Sequence, residues 1–194
     1  LVEFVVDQID NEAFVTAVFL DYSKAFDCLG HGLISKKLEL MGIRNTSKDW
    51  FMSYLQERSQ VVEMQQISNC ILSTHQSTAL PITRGVPQGS VLGPVLFILL
   101  TNDYPCHIEN ANTLPVMYAD DTTILLKNST THGLLTDTTS AINKTLQYCK
   151  TNDLAINPSK TSQLHFSKKR EAIPETPGIT VEKHVKFLGL TLDD

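Results

Sequence analysis

The chain has 194 residues, and 42% of them are hydrophobic, which is enough to bury one substantial core with at most a small appended subdomain. Its formal net charge of −5 counts against simple electrostatic binding of nucleic acid, because phosphate-binding surfaces are normally basic. The four cysteines form no CxxC pair and the six histidines no metal motif, so the composition favours reduced thiols in an intracellular protein over a zinc site or a disulfide framework.

The first part of the chain is predicted to contain a strand followed by two helices. Residues 14–20 (FVTAVFL) are apolar and β-branched with little alternation, which is typical of a strand covered on both faces. A rough helical stripe predicts a helix over residues 23–40, ended by the Met-Gly pair that follows. A second helix is predicted over residues 48–56, with Ser47 as its N-cap.

A loop rich in Gly and Pro separates a predicted sheet from an apolar helix. Residues 59–67 and 77–83 are predicted to be strands joined by a polar turn. Residues 91–100 are the most apolar stretch, shorter than the roughly 18 residues that predict a membrane span. They predict a buried helix with Ser90 as N-cap and Pro94 in the first turn, where a missing N–H is tolerated.

Two adjacent aspartates interrupt a predicted hairpin in the second half of the chain. In MYADDTTILL (117–126), strand-forming residues surround Asp120 and Asp121. An ionised carboxylate removed from water without a partner is very unfavourable, and two neighbouring ones repel each other. Two interpretations follow: a polar turn with solvated carboxylates, or oxygen ligands for a divalent cation such as Mg²⁺.

The remaining segments complete an α+β pattern. Residues 132–151 predict an amphipathic helix, and residues 154–166 predict a short strand, a turn and a second strand. A polar linker over residues 168–178 precedes a final predicted strand over residues 185–194. This order of elements predicts an antiparallel sheet with helices on one face.

A third carboxylate stands in a matching position. Asp21 follows the apolar strand over residues 14–20, much as Asp120 follows its own strand. If these strands are neighbours, their carboxylates converge at one edge of the sheet, which is the arrangement that two-metal phosphoryl transfer requires. Bound cations would also compensate the repulsion between the carboxylates.

Five motifs then carry a resemblance to a known family. They closely resemble, in order, the successive blocks of reverse transcriptases from non-LTR (LINE-type, jockey-like) retrotransposons, and the resemblance covers nearly the whole chain. YADD alone is a weak signal, but the ordered set is specific. The motifs are FLDYSKAFD (19–27), RGVPQGSVLGPVLF (84–97), YADD (118–121), LAINPSKT (154–161) and KFLGLTL (186–192), with WFMSYLQERSQ (50–60) and TNDYP (101–105) between them.

The resemblance implies a polymerase palm of the right-hand type with two metal ions. Asp21 and Asp120 match the family's two main metal-binding aspartates, and Asp121 matches its more peripheral carboxylate. The backbone carbonyl of Tyr22 is expected to face a metal. The implied cofactor is two Mg²⁺ ions, with Mn²⁺ as an alternative.

The resemblance also implies contacts with the incoming nucleotide. The amides of Ser23, Lys24 and Ala25 are expected near its triphosphate, which suits the predicted strand-to-helix junction because a helix N-terminus favours phosphate. Phe26 matches the steric gate that excludes a ribose 2′-hydroxyl; the alternative is an ordinary core residue on the helix stripe.

Four further residues match positions of the family. Gln88 and Gly89 match the loop that tracks the template base and the nascent pair, although PQGS also suits a plain helix-start turn. Lys160 matches the lysine near the leaving pyrophosphate, and the alternative is a solvated lysine in a surface turn. Asp27 is interpreted as structural.

The implied reaction is RNA-directed DNA synthesis, in which a DNA primer on an RNA template is extended with dNTPs. Residues 1–194 are expected to be a palm with part of the fingers, lacking the N-terminal fingers segments and the C-terminal thumb, which would also explain the acidic charge. The family implies an intracellular protein in the nucleus and in cytoplasmic ribonucleoprotein. The alternatives are an inactive retroelement relic, a non-catalytic nucleic-acid-binding fragment, a nucleotidyl cyclase and a group II intron type of reverse transcriptase.

Overall fold

A computed structural model describes residues 1–68, 71–87 and 89–193 of the chain. Its helices and strands are arranged around one central sheet. In chain order they are α1 (Val2–Asp10), β1 (Phe14–Leu20), α2 (His31–Leu40), α3 (Asn45–Leu55), β2 (Ser59–Gln60), β3 (Glu63–Ser68), β4 (Ile71–Gln76), β5 (Leu80–Pro81), α4 (Leu92–Thr101), α5 (Tyr104–Ile108), β6 (Thr113–Tyr118), β7 (Asp121–Asn128), α6 (Thr131–Thr151), β8 (Ser162–Phe166), β9 (Thr180–Val181), β10 (His184–Phe187) and β11 (Leu190–Asp193).

The central sheet has five strands in the order β6-β7-β1-β8-β9. Strand β1 pairs antiparallel with both β7 and β8, and the short β9 pairs parallel with β8. Every residue of β1 is buried, as its uninterrupted apolar sequence predicts. The predicted α+β class with a mainly antiparallel sheet is therefore confirmed.

The two faces of β1 contribute to two separate cores. Phe14, Val18 and Leu20 pack in the larger core beneath the helices that follow β1. The alternate residues of the strand pack in a smaller core with α1 and the β10–β11 hairpin, where the Phe19 and Phe187 ring centroids lie 6.0 Å apart. The larger helices lie on one face as predicted. The apolar sequence of β1 also predicted that its second face is covered, but not that α1 and the β10–β11 hairpin provide the cover.

The predicted helix over residues 23–40 is wrong in its first part. Residues 23–27 form hydrogen-bonded turns, and α2 begins only at His31. Lys24 has a left-handed φ of +50°, which a helix does not accept, and Gly30 is extended and bridges Arg84. Tertiary pairing of this segment therefore overrides its helical periodicity.

Other element boundaries differ from prediction in smaller ways. Helix α3 begins at Asn45, so Ser47 lies inside it rather than at its N-cap. The N-cap position of α4 is Val91 rather than the predicted Ser90, although the Ser90 hydroxyl accepts a hydrogen bond from the Gly93 amide at 3.1 Å.

Two segments predicted as simpler elements are hairpins. Strand β3 lies largely within the predicted strand over residues 59–67, but its partner β4 occupies the segment predicted to be a polar turn. Strands β10 and β11 pair where one final strand had been predicted. Leu188 and Gly189 form the second turn with φ of +47° and +86°. Helices α1 and α5 were not predicted. None of the helices in the described ranges has the length and apolarity to cross a bilayer.

Candidate active site

The pairing of β1 with β7 brings two carboxylates together at one edge of the central sheet. Leu20 pairs with Thr122, so the same register sets Asp21 beside Asp121. Both aspartates line a pocket of about 180 Å³, together with Lys160 and the first strand and turn of the β10–β11 hairpin. The predicted convergence of carboxylates at this edge is therefore observed for Asp21 and Asp121. The strand that Asp120 follows, β6, is separated from β1 by β7, so the expected pairing of those two strands was wrong.

Asp120 lies in the tight turn that joins β6 to β7. Tyr118 pairs with Asp121 across this turn, and Ala119 has a φ of +54°, so a non-glycine residue adopts the left-handed region here. Asp120 is half-buried and Asp121 exposed. Asp120 is not among the described residues that line the pocket containing Asp21 and Asp121.

The electrostatics of this edge show mutual repulsion between the carboxylates. Although Asp121 is exposed as a residue, partial desolvation of its carboxylate raises its pKa, and the negative charges of Asp120 and Asp21 raise it further. Hard carboxylate oxygens that repel one another are the donors that Mg²⁺ or Mn²⁺ would take. Within the described ranges, however, no group of three or more His, Cys, Asp or Glu side chains has the arrangement of a metal cluster. The donor chemistry thus fits a divalent cation, without a preformed three-carboxylate cluster.

The backbone after Asp21 is tied to the segment that carries Lys160. Tyr22 forms an isolated antiparallel bridge with Ile156. The two hydrogen bonds of this bridge run from the Asn157 amide to the Asp21 carbonyl and from the Ser23 amide to the Ala155 carbonyl, both at 2.7 Å. The bridge fixes Asp21 relative to the turn that follows Ile156.

Lys160 lies exposed in that turn. The amides of Lys160 and Thr161 both donate to the Asn157 carbonyl, at 3.2 and 3.0 Å. The Asp21 amide in turn donates to the Thr161 hydroxyl at 3.5 Å, so the turn holds Lys160 at the edge of the same pocket as Asp21. Lys186, which stands in KFLGLTL, also lines this pocket and was not predicted as a site residue.

The proposed triphosphate segment does not have the predicted structure. Ser23, Lys24 and Ala25 form turns rather than the first turn of a helix, so the argument from a helix N-terminus does not apply to them. Ala25 is buried, whereas Lys24 is exposed. The Tyr22 side chain points into the larger core, where its ring centroid lies 5.8 Å from that of Phe97.

Phe26 and Gly89 line a second pocket of about 400 Å³, together with Pro87, Ser90, Gly93 and Pro94. The half-buried Phe26 ring also packs against the larger core, with its centroid 5.6 Å from that of Phe97. The Phe26 ring thus lines a pocket and also packs as the alternative interpretation, a core residue, expects; its role as a steric gate stays a prediction. Gly89 has a φ of +76°, which favours glycine. The predicted residue Gln88 lies outside the described residues.

The loop before Gly89 is docked on the segment that carries Phe26. The Val86 amide donates to the Phe26 carbonyl at 2.9 Å, and the Gly85 amide donates to the Leu29 carbonyl at 2.8 Å. His31 Nε2 donates to the Gly85 carbonyl at 2.9 Å. No local motif around His31 predicts this long-range contact.

Three comparisons relate the chain to known proteins. A family model described as reverse transcriptase (RNA-dependent DNA polymerase) matches residues 7–192. The chain is 29% identical over 203 residues to the RNA-directed DNA polymerase from mobile element jockey of Drosophila melanogaster, and 30% identical over 207 residues to a probable RNA-directed DNA polymerase from transposon BS of the same species. Both matches cover 100% of this chain but only 21% and 22% of the relatives, so the chain spans about a fifth of their length.

Solved structures share the fold at low sequence identity. Telomerase from Candida tropicalis in complex with a TWJ fragment of telomeric RNA is similar with a TM-score of 0.62 and 12% identity, covering 99% of this chain and 31% of the telomerase chain. Apo telomerase from the same species, truncated from its C-terminal domain, has a TM-score of 0.59 and 13% identity, covering 99% and 37%. These likenesses support the right-hand polymerase fold.

Proposed function

Because the chain belongs to the reverse transcriptase family, we propose that it is the palm with part of the fingers of a non-LTR retrotransposon RNA-directed DNA polymerase. The observation that carries the proposal is the pocket at the edge of the central sheet. There Asp21 and Asp121 line the same pocket as Lys160, and Asp120 lies in the adjoining turn. Carboxylates beside a lysine suit the transfer of a nucleotidyl group.

In the proposed reaction, a primer 3′-hydroxyl attacks the α-phosphorus of a dNTP, and pyrophosphate leaves. Asp21, Asp120 and Asp121 would hold two Mg²⁺ ions, or Mn²⁺ in their place, with the Tyr22 carbonyl as a further oxygen donor. Divalent cations bound there would supply charge neutralisation for the phosphates. The protein's contribution is mainly to position groups and to stabilise developing charge.

The other assigned residues act on the nucleotide and the template. Lys160 would neutralise the departing pyrophosphate or donate a proton to it, and its turn holds it at the pocket of Asp21. Phe26 would exclude a ribose 2′-hydroxyl from its pocket beside Gly89. Gln88 and Gly89 would follow the template base, and Ser23, Lys24 and Ala25 would lie near the triphosphate without the help of a helix N-terminus.

The proposed partners are an RNA template, a DNA primer and dNTPs. The net charge of −5 is unfavourable for gripping a duplex, which is consistent with a palm that relies on basic segments elsewhere in the protein. The relatives suggest an intracellular protein, in the nucleus and in cytoplasmic ribonucleoprotein. The proposal does not need a membrane.

The experiment that tests this function is extension of a DNA primer on an RNA template by the chain itself. Extension that requires Mg²⁺ or Mn²⁺, stops with EDTA and follows the template sequence would support the proposal. If a folded chain, verified by circular dichroism, adds no nucleotide and binds no primer–template, the alternative of an inactive relic would be preferred. Binding without extension would favour a non-catalytic nucleic-acid-binding fragment.

A further inference from the structure

A polar network outside the candidate active site joins three helices through one carboxylate. Asp103 belongs to TNDYP, a motif to which the proposed function assigns no role. Both carboxylate oxygens of Asp103 accept hydrogen bonds from Lys37 Nζ of α2, at 2.6 and 2.5 Å. The Tyr148 hydroxyl of α6 donates to Asp103 Oδ1 at 2.7 Å and lies 3.3 Å from the Leu100 carbonyl of α4.

The partners of Asp103 are more buried than Asp103 itself. The Lys37 side chain is only 10% exposed and Tyr148 is buried, whereas the Asp103 side chain is 56% exposed. Burial acts to raise the pKa of Asp103, but the hydrogen bonds from Lys37 and Tyr148 and the charge of Lys37 outweigh it and lower the pKa. Removal of the carboxylate would leave a buried ammonium group without its counter-charge, which is strongly unfavourable.

Helix α4 connects this network to the pocket of Phe26. Its last turn lies beside Tyr148, and its first turn supplies Gly93 and Pro94 to the pocket wall. In its middle, the Phe97 ring packs against Phe26, with centroids 5.6 Å apart. A helix of ten residues moves largely as a rigid rod, so holding its end between α2 and α6 also holds the pocket wall.

We propose that Asp103 is a positioning residue for the nucleotide pocket. By joining Lys37 and Tyr148 at the end of α4, it fixes the distance between the pocket wall on that helix and the Phe26 ring opposite. The role as a nucleotide pocket rests on the proposed function, whereas the mechanical link through α4 does not. Asp103 touches no reacting group, and its effect passes through Phe97.

The mechanical link can be tested on the chain itself by amide hydrogen exchange and mass spectrometry. In Asp103→Asn, we expect exchange to rise several-fold in peptides covering residues 84–93, while β1 changes little. The matched control is Glu39→Gln, which removes the carboxylate charge of another ion pair of α2, with Lys48 of α3. It should leave residues 84–93 unchanged.

A second variant guards against simple misfolding. Tyr148→Phe keeps the ring and removes only the hydroxyl, so it should give a smaller rise in the same peptides. An unchanged pattern in both variants, or a rise spread evenly over the whole chain including β1, would overturn the proposal because Asp103 would then serve general stability alone.

Kinetics tests the functional half of the proposal. In primer extension, Asp103→Asn should raise KM for dNTP at least about fivefold while kcat stays within about twofold, because the pocket and not the reacting groups is displaced. If the wild type extends the primer but the KM of Asp103→Asn for dNTP is unchanged, the positioning role is overturned and the polymerase function stands. Absence of extension by the wild type would count against the polymerase function, and the exchange pattern would still decide the link through α4.

Discussion

Replacement of Gly85 by alanine is expected to destabilise the protein by more than the strain of a left-handed backbone conformation, because it also displaces the loop that carries Gly89. Gly85 has a φ of +81°, and a Cβ there would lie 2.9 Å from the Asp27 carbonyl oxygen and 3.0 Å from the Asp27 Cα. Both atoms belong to the backbone, so no side-chain rotation can relieve the contact. The loop must therefore move away from the segment that carries Phe26.

The expected loss in the free energy of unfolding has two parts. A left-handed φ costs an alanine about 1–2 kcal/mol. Overpacking against a fixed backbone adds about 1–3 kcal/mol, for a total of about 2–5 kcal/mol. Gly42→Ala is the matched control, because Gly42 has a φ of +82° but no described atom within 4 Å of its Cβ position. That control should lose only the first part, about 1–2 kcal/mol.

Thermal unfolding followed by circular dichroism measures both variants. For a chain of this size, each kcal/mol corresponds to about 2–4 °C in Tm. Gly85→Ala should therefore melt at least about 2 °C below Gly42→Ala, and exchange of the Val86 amide should increase only in the former. Equal Tm values for the two variants would refute the reasoning from close approach.

Three further outcomes are expected. In metal-free protein at neutral pH, Asp121→Asn should raise the free energy of unfolding by about 0.2–1 kcal/mol, because it relieves repulsion by Asp120 and Asp21. Mg²⁺ should raise the Tm of the wild type more than that of the variant. An equal increase of Tm in both proteins would contradict cation binding at Asp121. Phe26→Ala should admit ribonucleotides in primer extension, and unchanged sugar discrimination would leave Phe26 as a core residue. The partners of Asp103 lower its pKa in the folded state, so its carboxylate stabilises the fold above the pKa of about 4 that it has in the unfolded chain. This stabilisation is lost as the pH falls through the lower pKa of the folded state. Urea unfolding at several pH values should therefore show that the free energy of unfolding falls more steeply in acid for the wild type than for Asp103→Asn.

Local sequence patterns predicted the elements whose burial is uniform or clearly periodic. The strand β1 and the helix α6 have nearly the predicted bounds, because a buried strand and an amphipathic helix leave strong patterns. The hairpin with Asp120 and Asp121 was also predicted, and pairing with β1 then brought Asp121 beside Asp21. The strand ends thus predicted that carboxylates converge at this edge, but not that β7 would lie between β6 and β1 and bring Asp121 rather than Asp120 to Asp21.

Long-range contacts account for what sequence analysis missed. The segment from Ser23 to Gly30 has helical periodicity, but its carbonyls accept hydrogen bonds from Gly85 and Val86, and Gly30 bridges Arg84. Covering of the second sheet face by α1 and the β10–β11 hairpin likewise depends on tertiary packing. No local pattern encodes which distant backbone will dock on a segment.

The most direct test of the central claim compares single-nucleotide incorporation by three variants in Mg²⁺. Asp21→Asn and Asp120→Asn should each lower incorporation by several orders of magnitude, since each would lose a charged ligand for the cation. Asp27→Asn is the matched control: it makes the same change in the same motif as Asp21, at an exposed residue that does not line the pocket as far as the structure describes it. Full activity in Asp21→Asn or Asp120→Asn, or an equal loss in Asp27→Asn, would contradict the assignment of the catalytic carboxylates.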